Sequence, residues 1–352
     1  MVKLLGNMGI QLNLPFSRID LNQEQLFEEL IGEVNRLVPQ NLSNLRGRRA
    51  VYCSGGRSRQ PISSLSGKNL GEPNFFSNDI ASTLVVGIDS SSLPICDLED
   101  GSIIAVRASV VFSSNGESMT YLRLGPYPYH VTSRFLMSKL GIGKESLASS
   151  IAQDKVSSQS LLRKTLERSI LTALLSYLNN SIILVDGTFG YGFSNTERLE
   201  EKKLLALARQ KNNSILGFTK VSRIRDIWDA ASSLFSIKGA PFYIKPPMID
   251  TKHSPDTEII LVKFRDDGFV FRLDIPNDTE INILEKLSAN DHFDRGYPDC
   301  LRLAHHFCVF TQHDDVCLKG RLGNELGLVE VPSDDQRQAI LGWMWSAGRG
   351  AR

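Results

Sequence analysis

The sequence predicts an α/β fold, a mixed sheet with flanking helices, and three observations predict it. Three strand-like segments follow one another between Thr83 and Leu124; helix-period segments then alternate with short apolar runs; and an aspartate closes two of the apolar runs. Continuous apolar runs read as buried strands, whereas apolar residues stepping by three and four read as one face of a helix.

Taken in order, Leu26, Phe27, Leu30, Ile31, Val34 and Leu37 recur at helical spacing, with Asp20 and Gln23 as a variant capping box and Pro39 as a stop. Arg46 to Asn78 is rich in Ser, Gly, Arg and Asn without a sustained period, which reads as irregular structure. From Thr83, TLVVGID and SIIAVRASVVF read as strands, and Asn115-Gly116 marks a tight turn into a third, SMTYLRL. Ser158 to Leu178 carries Leu162, Leu166, Ile170, Leu174 and Leu178 every fourth residue and reads as a helix. SIILVD follows as a buried strand, then a helix over Thr196 to Lys211, the strand SILGFT, and a helix over Asp226 to Phe235.

The order β-β-β-α-β-α-β-α is that of a ribonuclease H-like fold, in which right-handed crossovers lay the later parallel strands beside the first. Asp266-Asp267-Gly268 joins two more strands, EIILVKF and FVFRLDI, and Ile281 to Leu287, Pro298 to Thr311 and Gln336 to Trp345 read as helices. The expected organisation is an N-terminal helix and irregular segment over 1–80, a ribonuclease H-like core over 81–320 and a C-terminal helical segment over 321–352.

Composition excludes several classes. At 352 residues with 41% hydrophobic and 22% charged, the chain is a globular protein and neither fibrous nor disordered. Lys plus Arg number 40 against 39 Asp plus Glu, so no global basic field advertises nucleic acid and any such site is a local patch. The best patch runs from Arg198 to Arg225, where Lys and Arg outnumber Glu200 and Glu201; it is equally what a solvated helix face looks like. No apolar run reaches the roughly 20 residues that span a bilayer, and no signal peptide is evident, so a cytoplasmic location is expected. Five scattered cysteines without a CxxC pair argue for reduced thiols. Cys300, His305, His306, Cys308, His313 and Cys317 invite a zinc site but lack its usual spacing. No Walker A motif is present, so the chain is not expected to hydrolyse ATP.

The candidate chemistry lies in the carboxylates. Asp89 and Asp186 each close a buried strand, and parallel neighbours bring such residues to one rim. Glu167 follows Leu166 of the apolar stripe and leans toward the same rim. Three acidic oxygens suit Mg²⁺ or Mn²⁺ and, through them, phosphodiester cleavage. Aspartates before Gly or Ser also simply end strands and start turns. In GYPDCLRLAHH, Pro298 opens a helix, and His305 stands about two turns beyond Tyr297. Such a His serves as ligand or general acid with Tyr297 as hydrogen-bond donor, or else packs as an ordinary helix residue.

Together these residues resemble the NurA nuclease family over most of Leu84 to Leu318. The blocks that carry the resemblance are VVGIDSSS, LRKTLERSIL, IILVDGTFG, GFTKVS, VFRLDIP around Arg272, and GYPDCLRLAHH. Ser90 stands where the family's first motif commonly has Gly. The resemblance implies a ribonuclease H-like core with Asp89, Glu167 and Asp186 as Mn²⁺ or Mg²⁺ ligands, joined by His305 and supported by Tyr297. It also implies a DNA 5′-to-3′ exonuclease and single-strand endonuclease that works as a homodimer with a HerA-type hexameric ATPase in end resection and double-strand break repair. Lys220, in the KVS block, is suited to hold a phosphate, and Arg223 and Arg225 extend the basic patch as DNA contacts. Near-neutral charge implies that tight DNA capture draws on a partner, and Trp343 and Trp345 are candidates for interface or core. Two alternatives remain: a non-catalytic DNA-end adaptor regulating the translocase, and another ribonuclease H-like nuclease such as a resolvase.

Overall fold

The computed structural model describes residues 23–38, 49–52, 72–77, 82–114, 118–188, 195–220, 234, 237–246 and 257–330. The first helix, α1, covers Gln23–Leu37, and β1 (Arg49–Tyr52) and β2 (Asn74–Phe75) follow it. A long meander comes next, β3 (Leu84–Leu98), β4 (Gly101–Ser114) and β5 (Ser118–Val131), then the helices α2 (Ser133–Lys139), α3 (Glu145–Gln153) and α4 (Lys155–Tyr177). The alternating part is β6 (Ser181–Asp186), α5 (Asn195–Gln210) and β7 (Ser214–Thr219). Strands β8 (Phe242–Ile244), β9 (Thr257–Lys263) and β10 (Phe271–Pro276) lead to α6 (Ile283–Asn290) and the hairpin β11 (Phe293–Asp294) and β12 (Tyr297–Pro298). Helices α7 (Asp299–Cys308) and α8 (Gln312–Leu326) and strand β13 (Val329–Glu330) complete the order.

One 11-stranded mixed sheet organises these elements. Its centre runs β5-β4-β3-β6-β7, the first three antiparallel and β3, β6 and β7 parallel, which is the ribonuclease H-like arrangement. β10 then pairs antiparallel with β7, and β9, β8 and β2 extend that edge.

Alternation along β3 assigns its two faces. Val86 and Ile88 pack under α4 with Leu162, Leu166 and Ile170, while Val85 joins Leu184, Leu273, Leu284 and Leu301 on the face covered by α6 and α7. The α4 stripe is fully buried, and each such leucine contributes roughly 1.5–3 kcal/mol relative to exposure.

β6 and β7 cover the expected residues, while other elements differ for physical reasons. β3 and β5 run well beyond the apolar segments because Ser-rich and Pro-containing stretches, SSSLPICDL and GPYPYHV, keep pairing after the hydrophobic pattern has stopped. α4 starts at Lys155 because Asp154 caps it, its carboxylate accepting from the N–H groups of Val156 at 3.1 Å and Ser157 at 3.3 Å. α2 and α3 were not expected, being short, and α8 shows few apolar residues but has a capping box from Thr311 and Asp314 and ends at the left-handed Gly327. Within the stretch expected to be irregular, β1 pairs with Cys96–Leu98 of β3 and β2 pairs with β8.

The Asp20–Gln23 capping box, the Asn115-Gly116 turn, and nearly all of the expected helices over Asp226–Phe235 and Gln336–Trp345 lie outside the described residues. Among the described residues no helix is long and apolar enough to cross a membrane, and Cys300, Cys308 and Cys317 are free thiols.

Candidate metal centre at a gap in the sheet

The site begins with a gap beside β3. Opposite β4, β3 pairs with β6 only as far as Ile88, and with β1 only from Cys96 onward. Between those limits the described strands pair β3 on one side only, and the Ser90 N–H turns to Asp89 Oδ1 at 2.7 Å. Asp89 sits at the start of this gap, where side chains from both faces of the sheet converge.

On one face stands α7. Gly87, two residues before Asp89 and on the same face, lets the helix touch the strand: a Cβ there would lie 2.6 Å from the Cys300 carbonyl carbon. Asp291 caps the start of α7, accepting from the Cys300 N–H at 3.2 Å. At the other end, Ser109 Oγ donates to Ala304 O at 2.6 Å and Ser91 Oγ donates to Cys308 O. Held at both ends, α7 places His305 Nδ1 2.7 Å from Asp89 Oδ2. A carboxylate only accepts, so Nδ1 carries the proton and Nε2 remains available.

On the other face stands α4. Ser90, pointing opposite to Asp89, donates its hydroxyl to Glu167 Oε1. One helical turn before Glu167, Arg163 reaches the same place, with Nε donating to Ser90 Oγ at 3.2 Å and a guanidinium nitrogen 3.5 Å from Asp89 Oδ1. Burial pushes Glu167 up to about 7, against the opposing pull of Arg163 and the Ser90 hydroxyl.

The third carboxylate closes β6. Asp186 is followed by Gly187 at φ +119°, a conformation that excludes side chains, and the chain turns away from the rim there. Lys220, one residue past β7, donates to Asp186 Oδ2 at 3.0 Å. Tyr297 donates to Asp186 Oδ1 at 3.2 Å. That tyrosine is aimed by a two-residue hairpin turn in which Arg295 and Gly296 both have positive φ, and its ring packs against Phe218 and Phe271. Asp186 is raised above the usual carboxylate range by burial and by Asp89, with Lys220 opposing; burial likewise raises the Tyr297 phenol.

The structure thus brings Asp89, Glu167, Asp186, Tyr297, His305 and Lys220 to one rim. Arg223 and Arg225 lie outside the described residues, as do Trp343 and Trp345. Elsewhere in the basic stretch, Arg209 pairs with Asp278 and Lys211 donates to Ser176 O. Arg272 forms a buried two-point pair with Asp274 at 2.7 and 3.0 Å.

The donor set can be tested against a metal. Asp89, Glu167 and Asp186 offer oxygens and His305 a ring nitrogen, donor types that fit a hard divalent ion such as Mn²⁺ or Mg²⁺. Donor atoms of Asp89, His305 and Cys308 lie within 4.8 Å of one another. Burial raises the Cys308 thiol, and a thiol sulfur suits a hard divalent ion less well than the carboxylate oxygens do.

Arg163, Gly87 and Asp291 escaped the sequence reading, and Ser90 entered it only as a departure from a motif. The sole local signal for Arg163 is its four-residue spacing from Glu167.

Fold and site define a ribonuclease H-like protein with acidic side chains gathered at the rim of its central strands. The chain belongs to the NurA family: the NurA domain profile matches residues 83–310. Among solved structures it is similar to the crystal structure of the NurA nuclease from Sulfolobus solfataricus, at 17% identity over 87% of this chain and 92% of that one, with a TM-score of 0.44. A crystal structure of NurA is similar at 12% identity over 74% of this chain and 91% of that one, with a TM-score of 0.41. No curated protein matches the chain.

Proposed function

We propose that this protein is a metal-dependent deoxyribonuclease that hydrolyses phosphodiester bonds. The observation that carries the reading is the direct pairing of Asp89 with His305, with Glu167 held beside it through Ser90 and Asp186 held by Tyr297 and Lys220. A module that only bound DNA gains nothing from gathering negative charge where phosphates must approach.

Asp89, Glu167, Asp186 and the Nε2 atom of His305 hold Mn²⁺ or Mg²⁺ in this reading. When bound, the ion supplies activation of water and neutralisation of the leaving oxygen. The protein's own groups do the rest. Asp89 fixes the His305 ring through Nδ1, which leaves Nε2 to bind or to exchange a proton at the rim. Tyr297 occupies one oxygen of Asp186 and so orients the other. Lys220, about one third exposed, leaves Asp186 to meet a phosphate as a point charge. Arg223 and Arg225 continue that contact along the DNA.

Membership of the NurA family supports the finer reading: 5′-to-3′ exonuclease and single-strand endonuclease activity, a homodimer, and work with a HerA-type hexameric ATPase in end resection. Cleavage of end-labelled single- and double-stranded DNA by wild type and Asp89→Ala, with Mn²⁺, Mg²⁺ or EDTA and with or without that ATPase, tests the proposal. Metal-dependent cutting lost in the variant is expected. Binding of DNA with no cutting under any condition overturns the enzyme in favour of an end-binding adaptor.

A further inference from the structure

Arg163 contacts Asp89 directly and reaches Glu167 through Ser90. Its guanidinium lies 3.5 Å from Asp89, and its Nε meets the same Ser90 hydroxyl that donates to Glu167. Asp89 is fully buried and Glu167 nearly so, and two buried carboxylates without a cation are strongly unfavourable. Arg163 therefore provides positive charge at the place where these two acids need it.

The manner of its binding differs from that of the protein's structural arginines. Arg107 grips Asp314 with two nitrogens at 2.7 and 3.1 Å, and Arg272 grips Asp274 likewise at 2.7 and 3.0 Å. Arg163 makes one long contact to Asp89, and its side chain is 38% exposed against 5% for Arg107 and 3% for Arg272. It is thus weakly gripped and has a path to solvent. A guanidinium does not lose its proton, so it cannot remain beside a divalent ion by becoming neutral.

Resting on the metal-dependent reading above, we propose that Arg163 is a placeholder: in the metal-free protein it occupies the cation seat between Asp89 and Glu167, and the divalent ion displaces it. Arg163 and the metal compete for one seat, so Asp89 faces a cation in both states.

The test is Mn²⁺ titration of the EDTA-stripped full chain, read by the electron-spin signal of free Mn²⁺, with Tm measured in parallel. Wild type, Arg163→Gln and Arg163→Lys are compared. In Arg163→Gln the metal-free Tm falls, yet Mn²⁺ binds about tenfold more tightly because no side chain must be displaced. In Arg163→Lys, which keeps a charge but loses the fork, the gain is about threefold. An unchanged or weakened Mn²⁺ affinity in both variants overturns the proposal and makes Arg163 a fixed support of the ligands. Should Arg163→Gln fail to fold without metal, Arg163→Lys alone decides. Failure of wild type to bind Mn²⁺ sinks the metal-dependent reading itself, an outcome distinct from wild-type binding that Arg163 does not affect.

Discussion

Asp314 and Glu167 are two carboxylates beside two arginines, and the protein moves their acidities in opposite directions. Asp314, at the start of α8, accepts both nitrogens of the Arg107 fork and the hydroxyl and N–H of Thr311, and Arg107 holds it well below the usual range. Glu167 receives one serine hydroxyl and the field of Arg163, and burial outweighs both, raising it to about 7. The first pair is complete and joins α8 to β4, with Phe310 packed 4.4 Å under the guanidinium. The second is left short of positive charge. An ion pair that only stabilises a fold satisfies its carboxylate, whereas a site that must accept a cation leaves its carboxylate wanting one.

The largest expected effect breaks the comparison if it fails. Glu167→Gln lowers DNA cleavage about a thousandfold, on the order of 4 kcal/mol of barrier, while stability of the metal-free protein holds or rises, because a buried acid is exchanged for a neutral isostere. A loss of stability with retained cleavage places Glu167 in the structural class. Asp314→Ala does the reverse: it strands the Arg107 guanidinium and costs about 3 kcal/mol by chemical denaturation, with cleavage at saturating metal little changed.

Overpacking at Gly87 is a smaller effect that reaches the site through α7. Gly87→Ala places a methyl group against the Cys300 backbone and costs about 1–3 kcal/mol. Cleavage falls with it as His305 is pushed off Asp89, which Gly32→Ala, with nothing near its Cβ, does not reproduce.

The subtlest test is stability against pH in EDTA. Asp314 is depressed in the folded state, so its contribution is present above its unfolded pKa and lost as pH falls. Glu167, raised from 4.5 to about 7, behaves oppositely: folding favours its protonated form, and that contribution is present below 4.5 and lost as pH rises from there through about 7. Asp291, raised to about 6 by burial, adds to the same limb. Tm therefore declines on both sides of a maximum at about pH 4; Asp314→Ala flattens the lower limb, Glu167→Gln shrinks the upper one, which runs to about pH 7, and Mn²⁺ relieves the upper limb in wild type and not in Glu167→Gln. An upper limb indifferent to both Mn²⁺ and Glu167→Gln removes Glu167 from the cation seat.

What was legible in the sequence follows from how each feature is encoded. β6 and β7 are short and apolar, so period and boundary coincide, and Asp89 and Asp186 were visible because each ends such a run. The far halves of β3 and β5 were not, since Ser, Pro and Gly carry no hydrophobic period even where the backbone pairs. Glu167 was placed by helix phase and family likeness. Arg163 was invisible because its role depends on Ser90, on a strand more than seventy residues away, pointing at the right face of α4. The gap between the described partners of β3 has no sequence signature, falling where pairing with β6 ends and pairing with β1 begins.

That gap ties activity to the cooperativity of folding. Asp89 and Asp186 come from the sheet, Glu167 from the helical layer on one side and His305 from that on the other, so no single layer contains the site. On the proposed assignment, a partly unfolded chain that has shed either layer loses part of the site, and activity reports global integrity. With metal in excess, thermal inactivation and loss of tertiary structure are then expected to follow one curve.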